Sequence, residues 1–253
     1  MSFIDVDFRN EPQYVAGDLG RNPSKIMCAA ADDEVPLIPE PKWRELAQQA
    51  EQSGLDKLVV EVKNQLNEGS CVANSTVQLH QVMQAAQFGI ANVTLLSAIS
   101  LYKRIGSSAS SGAMVDDGME EMIARGALPL DNPTNRGRFA HVMPATGFDR
   151  PLPQGWQETA KKFRGDERLI VHSVEALFSC LLSGHPVVVG RQGHSILYLR
   201  PLWQNGQWLI RYVNSWGNWG ENGFGYDSAR LFRESADWAF TLRSIITPST
   251  VAL

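Results

Sequence analysis

The sequence is poor in cysteine and has no long apolar run. Only Cys28, Cys71 and Cys180 occur in its 253 residues, an odd and scattered set that excludes a disulfide framework or a cysteine-rich zinc site and favours a reducing compartment. No segment approaches the ~20 apolar residues of a membrane span, and residues 1–20 lack the pattern of a cleaved signal. We therefore expect a cytoplasmic protein or one of the virion or host-cell interior.

The sequence also lacks the dense runs of basic residues that bind nucleic acids or anionic membranes. The chain has 23 basic and 27 acidic residues, a net charge of −4, and no dense basic run, which argues against both partners. Hydrophobic residues make up 43% of the chain, enough for a full core. We expect a peptide or protein partner and neither a metal nor another cofactor; the oligomeric state stays open.

Hydrophobic periodicity predicts helices mainly in the first half of the chain. Apolar residues recur at helical spacing from Val72 to about Phe88, where Gly89 would end the helix, and this helix begins at or beside Cys71. The other predicted helices run from about Trp43 to Gln52, over 97–105, over Asp117–Arg125, and over 174–182 with Ser173 as N-cap.

The last third of the chain is predicted to form antiparallel strands. β-branched and aromatic runs occupy 186–192, 194–201, 207–214 and 224–226, separated by turn signals such as Asn205-Gly206. The class is α+β, with a helical N-terminal half, a β-rich C-terminal half and a cleft between them. Residues 1–34 are expected to be an extension with little regular structure that could cover the cleft, before a domain over 35–253 whose proline-containing start is extended.

The candidate catalytic residues lie in two distant parts of the sequence. The first is VKNQLNEGSCVANS at 62–75, and the second is GHS at 193–195 followed by NSWGNWGENGFGY at 214–226. A thiol at a helix N-terminus, near an imidazolium, ionises readily and becomes a nucleophile. Cys71 has the helix position, and His194 could reach it only through the fold. Acyl transfer also needs donors for the oxyanion, and the Gln65 amide and the Cys71 N–H are the candidates.

These segments resemble those of the papain family of cysteine peptidases. Its nucleophile lies in V-K-N-Q-G-x-C-G-S-C-W-A-F-S and its asparagine in N-S-W-G-x-x-W-G-E-N-G-Y; Gln65 and Cys71 reproduce the six-residue interval. The resemblance covers about 35–232 and implies a two-lobed papain-like fold, Cys71 as nucleophile, His194 as base and Asn214 as the amide that orients it.

The same resemblance implies further roles. Gln65 would stabilise the oxyanion, and Trp216 would cover the His/Asn contact. Gly112, Ala113 and Met114 would bind substrate backbone and form the main specificity pocket, with Trp219 on the leaving-group side. An exposed linker and simple core packing are the competing interpretations of 112–114 and Trp219.

The pattern departs from the family at Val72 and Asn74, where aromatic residues are usual, and at Glu68, which stands where a disulfide cysteine is usual. We expect a cysteine peptidase that forms a thioester acyl-enzyme. An acyltransferase or amidase with the same site, or a non-catalytic binding or structural protein, are the alternatives. Cys28, Cys180 and the histidines other than His194 are expected to be structural, including His80.

Strand register provides a further expectation. A two-residue turn on Asn205-Gly206 would leave His194 and Asn214 about three residues, or roughly 10 Å, out of register. We therefore predict a wider loop centred on Gln204, with Gly206 left-handed or bulged, so that the two residues lie opposite each other.

Overall fold

The computed structural model describes residues 3–20, 28–236 and 238–248. The helices in this part of the chain are α1 Ala31–Glu34, α2 Glu40–Ser53, α3 Cys71–Phe88, α4 Ala98–Ile105, α5 Val115–Ala124, α6 Trp156–Ala160, α7 Val174–Leu182, α8 Trp219–Asn222 and α9 Ala229–Ser235. The strands are β1 Arg164–Gly165, β2 Arg168–Ile170, β3 Val187–Arg191, β4 His194–Gln204, β5 Gln207–Val213, β6 Phe224–Ser228, β7 Trp238–Leu242 and β8 Ile245–Ile246. The α+β prediction is confirmed.

The central element of the helical half is α3. All of its residues from Cys71 to Ala85 are buried, because α4 and α5 pack on it and β4 of the other half lies against it. The periodic pattern predicted the bounds of this helix but only one buried face. Its other faces are polar yet buried, and several of their side chains hydrogen-bond to backbone groups of α3 and of the segment near residues 94–96.

The β-rich half is a six-stranded sheet in the order β2-β7-β3-β4-β5-β6, with antiparallel neighbours throughout. Strands β3 and β4 are almost wholly buried, which fits their runs of valine, isoleucine and leucine. A separate two-stranded ladder pairs β1 with β8. The sheet presents the start of β4 to the start of α3.

Two helix starts differ from prediction. Helix α2 begins at Glu40 rather than near Trp43, with Pro41 in its first turn, where the missing N–H costs nothing. Helix α5 begins at Val115, two residues before the predicted start. The predicted bounds of α7 are confirmed, and Ser173 Oγ accepts a hydrogen bond from Ala176 N.

The predicted wide loop between β4 and β5 is wrong, although Gly206 is left-handed as predicted. Gln204 pairs with Gln207 across a two-residue turn in which Asn205 (φ 51°) and Gly206 (φ 79°) are both left-handed, as a type I′ turn requires. An irregularity between Tyr198 and Arg200 then shifts the register by one, and the last pair joins Leu197 to Val213. Asn214 therefore lies diagonal to His194, within side-chain reach, rather than opposite it.

Of the predicted extension, residues 3–20 have little regular structure, whereas Ala31–Glu34 form α1. Residues 3–20 pack firmly on the β-rich half. Ile4 forms a bridge to Tyr226 at the edge of β6, and the Asp5 carboxylate accepts hydrogen bonds from the backbone and hydroxyl of Ser228. Phe8 is completely buried. The segment is thus attached to the sheet through both backbone and side-chain contacts.

His80 on α3 is a buried structural histidine, in agreement with its sequence interpretation. Its Nε2 lies 3.2 Å from Arg164 O and 3.3 Å from Ile246 O, and its Nδ1 lies 3.0 Å from Gln84 Nε2. Burial lowers the pKa of His80 to about 4 from an ordinary 6.5. The ring joins α3 to the β1–β8 ladder in its neutral form.

Stability should therefore fall in acid partly through His80. Between about pH 6.5 and about pH 4 the unfolded chain binds a proton at this ring and the folded chain does not, so the free energy of unfolding drops by about 3 kcal/mol over that window. Urea unfolding of His80→Gln at pH 7 and pH 4.5 is expected to show a smaller drop than the wild type. His172→Gln, at an exposed position, is the control, and equal pH dependence in all three chains would contradict the assignment.

Candidate active site

Cys71 is the first residue of α3 and is fully buried. Hydrogen bonding by the backbone N–H groups of Ser195, Val72 and Cys71 acts to lower the pKa of its thiol. Two of these belong to the N-terminus of an 18-residue helix, whose unpaired N–H groups carry partial positive charge. The third belongs to the residue after His194, so the fold brings the predicted nucleophile and the predicted base together.

His194 begins β4, and its ring orientation is set by Asn214. His194 Nε2 lies 2.8 Å from Asn214 Oδ1, and Ser215 N donates to the same oxygen at 2.7 Å. Because the backbone N–H can only donate, that atom of the amide is the oxygen, and Nε2 must carry a proton. Nδ1 has no hydrogen-bond partner among the described groups, so it is left as the basic nitrogen. Trp216 stacks on the ring with a centroid distance of 4.4 Å.

Gln65 is fully buried and is held at both ends of its amide. Its Oε1 accepts from Ser215 Oγ at 2.6 Å, and its Nε2 donates to Glu68 O at 2.7 Å. One N–H of the amide remains for an oxyanion. The sequence argument did not single out Ser215, although it directly follows Asn214 in the motif.

Glu68 connects the loop before Cys71 to a second loop at residues 147–148. Its Oε1 accepts hydrogen bonds from Gly147 N at 2.7 Å and Phe148 N at 3.0 Å. The carboxylate thereby ties the loop before Cys71 to a distant loop, at the position where the resembled family has a disulfide cysteine. Cys28, Cys71 and Cys180 are all free thiols.

The predicted substrate-binding residues lie around the same cleft. Gly112 and Ala113 are buried beside Gly69, where an added Cβ would come within 2.8 Å of Gly112 N. Met114 is the N-cap of α5 and is only partly buried. Trp219 contacts Trp216 edge-to-face at 5.6 Å.

The N-terminal segment 3–20 covers this cleft. Gly17 N and Asp18 N both donate to Gly193 O, at 3.0 and 3.1 Å. Gly17 lies so close to the nucleophile that an added Cβ would be 2.6 Å from Cys71 Sγ. Ala113 N donates to Gly17 O, and Leu19 N donates to Ala113 O. The backbone of the segment therefore occupies the space directly over Cys71.

The segment also fills the side of the cleft next to the tryptophans. The Phe8 ring lies edge-on to His194 and Trp216, with centroids at 4.8 and 5.5 Å, and the Arg191 guanidinium lies 4.0 Å over it. Glu11 Oε2 accepts from Trp219 Nε1 at 2.7 Å. Arg191 itself is fully buried in an ion pair with Asp227, so Phe8 sits on a rigid base.

Covering the cleft disfavours both charges of a thiolate–imidazolium pair. Burial raises the pKa of the Cys71 thiol well above its ordinary value, and the Asp18 carboxylate raises it further. Burial also lowers the pKa of His194 to about 4, although its bond to Asn214 acts in the opposite direction. Both shifts favour a neutral thiol and a neutral imidazole in the covered state.

The helical and β-rich halves, with Cys71 on one and His194 on the other, match a known architecture. Xylellain, a cysteine protease from Xylella fastidiosa, superposes with a TM-score of 0.63 at 18% identity, over 92% of this chain and 98% of its own. The fold is papain-like. A procathepsin B from Trypanosoma congolense, proCathepsin B S9, gives a TM-score of 0.60 at 14% identity, over 88% of this chain and 85% of its own.

Digestive procathepsin L 3 of Tenebrio molitor gives 0.55 at 19% identity, over 72% of this chain. The chain spans 66% of that procathepsin. No protein-family model matches the sequence, and no curated protein is significantly similar to it. The papain-like fold is thus confirmed, and identities of 14–19% show the fold alone.

Two features bear on cofactors and membranes. Among the described residues, no three His, Cys, Asp or Glu side chains are grouped to hold a metal ion. In the same part of the chain, no helix has both the length and the apolar character to cross a bilayer.

Proposed function

We propose that the chain is a cysteine peptidase that hydrolyses peptide bonds through Cys71, His194, Asn214 and Gln65. The observation that carries the proposal is the His194–Asn214 bond of 2.8 Å. It fixes the proton on Nε2 and leaves Nδ1 as a base, one residue before Ser195, whose backbone N–H acts to lower the pKa of the Cys71 thiol. A histidine with a fixed tautomer beside a helix-terminal thiol is suited to general acid–base and nucleophilic catalysis.

In the proposed reaction, the uncovered site forms a thiolate–imidazolium pair and the thiolate attacks the peptide carbonyl. A C–S bond forms, and the oxyanion accepts hydrogen bonds from Gln65 Nε2 and Cys71 N–H. His194 Nδ1 then protonates the leaving amine as the C–N bond breaks. Neutral His194 next takes a proton from water, whose oxygen attacks the thioester and releases the acid and the thiol.

The geometry also supports a direction for the substrate. The leaving amine must lie near His194, so the substrate would run from Gly112 and Ala113 toward Trp216 and Trp219. The N-terminal segment runs the opposite way, from Phe8 near His194 to Leu19 beside Ala113. A substrate would therefore lie antiparallel to 112–114 and use the same backbone groups, while the segment presents its peptide bonds in the reverse direction.

We further propose that residues 1–34 inhibit a catalytic domain over 35–253. The segment excludes substrate from Cys71 and keeps both catalytic groups neutral, as its contacts at Gly17 and Phe8 indicate. Residues 1–2 and 21–27 of the extension lie outside the described residues. Peptide or protein remains the proposed substrate class.

The proposed oxyanion role gives a prediction for Gln65. In a chain whose N-terminal segment no longer covers the cleft, Gln65→Ala is expected to lower kcat/KM by about 10²–10³, because one donor to the oxyanion is lost. Ser215→Ala, which frees the far end of the amide, should have a smaller effect in the same direction. Steady-state hydrolysis of a peptide library measures both, and an unchanged kcat/KM in Gln65→Ala would remove this residue from the mechanism.

The overall function is tested with a chain whose N-terminal segment no longer covers the cleft. This chain is incubated with peptides, with and without a free amine, and the products are identified by mass spectrometry. Hydrolysed peptide ends support the peptidase. Exclusive transfer of the acyl group to the amine, or release of ammonia from side-chain amides, would replace it by one of the other acyl-transfer activities. The absence of any product from a chain with an alkylatable Cys71 would contradict the proposed activity.

A further inference from the structure

A small cavity adjoins the candidate site, and Asn214 forms part of its wall. Every residue that lines it is buried, and the polar ones are Lys63, Asn74, Ser75, Gln78, Ser195, Asn214 and Ser215. The volume of the cavity is about 10 Å³, close to the space that one buried water molecule needs. The cavity is thus lined by buried residues, most of them with polar side chains, and is sized for a single small molecule.

Two side-chain amides on its wall lack partners. Gln78 is 3% exposed and Asn214 is 2% exposed. Gln78 Oε1, Gln78 Nε2 and Asn214 Nδ2 have no hydrogen-bond partner among the described residues. Leaving such a group buried and unpaired costs about 1–3 kcal/mol. Three unpaired polar atoms around one cavity therefore point to a ligand that both donates and accepts.

Lys63 adds a further donor. Its ammonium donates to Glu61 Oε1 at 2.6 Å and to Leu96 O at 3.0 Å, and an ammonium has a third N–H. A water that accepts from Asn214 Nδ2 and Lys63 Nζ can donate to Gln78 Oε1. That gives the three hydrogen bonds that are typical of a buried water.

A water in this cavity would affect catalysis because Asn214 orients the His194 ring. Its Oδ1 already accepts from His194 and from Ser215 N, so only Nδ2 is free to fix the plane of the amide. Gln78 lies two turns after Cys71 on α3. A water between Gln78 and Nδ2 would connect the helix that carries the nucleophile to the amide that orients the base.

We propose that this cavity binds one water molecule and that Gln78, acting through it, is a positioning residue for Asn214 and hence for His194. The proposal rests on the proposed function only for the role of His194 in catalysis. The site itself takes water as its ligand whether or not the chain cleaves peptides.

The first test is a high-resolution crystal structure of the full chain. We expect a single density peak within about 3 Å of both Asn214 Nδ2 and the Gln78 amide. An empty cavity, or two amides that contact each other directly, would overturn the proposal. This test needs no variant and no activity.

The second test is ¹⁵N imidazole spectroscopy of His194 in the full chain, comparing Gln78→Met with Gln81→Met. Gln81 lies on the same helix and is equally buried, but its Oε1 bonds to Leu96 N and it does not line the cavity. We expect one neutral tautomer, protonated at Nε2, in the wild type and in Gln81→Met, and a mixture of tautomers in Gln78→Met. Equal spectra in the two variants would refute the role of Gln78.

The kinetic test uses the full chain with Phe8→Ala, the substitution expected to uncover the cleft. Gln78→Met should lower kcat about tenfold with little change in KM, because misplacement affects the reacting groups rather than substrate binding. If the chain hydrolyses no peptide, the proposed function fails while the density and the His194 spectra still decide the water site. If hydrolysis is robust and the cavity is empty, only this further inference fails.

Discussion

Replacing Phe8 with alanine is expected to raise the rate at which iodoacetamide alkylates Cys71 in the full chain by about 10²-fold. Truncating a fully buried phenylalanine costs about 3–5 kcal/mol, and Phe8 makes its contacts with His194, Trp216 and Arg191 only while the segment is docked. A loss of about 3 kcal/mol raises the population of the uncovered site by about two powers of ten. Time-resolved mass spectrometry of the alkylated peptide measures the effect.

Phe163→Ala is the matched control for this experiment. Phe163 is also fully buried, but it packs against Phe139, away from the cleft. If exposure of Cys71 required global unfolding, the two variants would accelerate alkylation alike. A selective rise in Phe8→Ala supports local release, whereas equal rates in wild type and Phe8→Ala would show that the segment does not protect the thiol.

A second variant reaches the same state by another route. In Gly17→Ala the new Cβ would lie 2.6 Å from Cys71 Sγ and 2.8 Å from Gly69 O, closer than such atoms can approach. The segment must therefore move away from the thiol. Leu19→Ala, which changes an exposed side chain of the same segment, should keep the wild-type rate.

Replacing Cys71 with alanine in the Phe8→Ala background is expected to abolish peptide hydrolysis. Loss of a nucleophile from a cooperating catalytic set lowers the rate by a factor on the order of 10⁶, which leaves no product in an ordinary assay. The helix N-terminus and Gln65 remain, but no thioester can form. Hydrolysis of a peptide library, followed by mass spectrometry, measures the loss.

Cys180→Ala in the same background is the control, because Cys180 lies buried on α7 and does not line the cleft. Its specific activity, corrected for folded protein, should equal that of Phe8→Ala. Residual hydrolysis in the Cys71 variant, with normal turnover in the control, would assign catalysis to another group.

Local signals in the sequence predicted those elements whose ends are decided by nearby residues. Gly89 ends α3 and Ser173 caps α7, each through contacts within a few positions. The start of α2 was missed because Pro41 in a first turn has the same local signature as an extended segment. The register of β4 and β5 differs from the prediction because His194 and Asn214 meet diagonally, with a one-residue shift near Leu199 that no local pattern marks, and do not lie opposite each other.

The sequence by itself determined the chemistry on offer: a thiol at a helix start, a histidine, an asparagine motif and a glutamine at a fixed interval. Only the tertiary structure decided how these groups are held and covered. Phe8, Gly17 and Ser215 owe their roles to partners far away in the chain. Such contacts depend on the packing of α3 against the sheet, and neither composition nor periodicity encodes which distant surface a short, irregular segment will occupy.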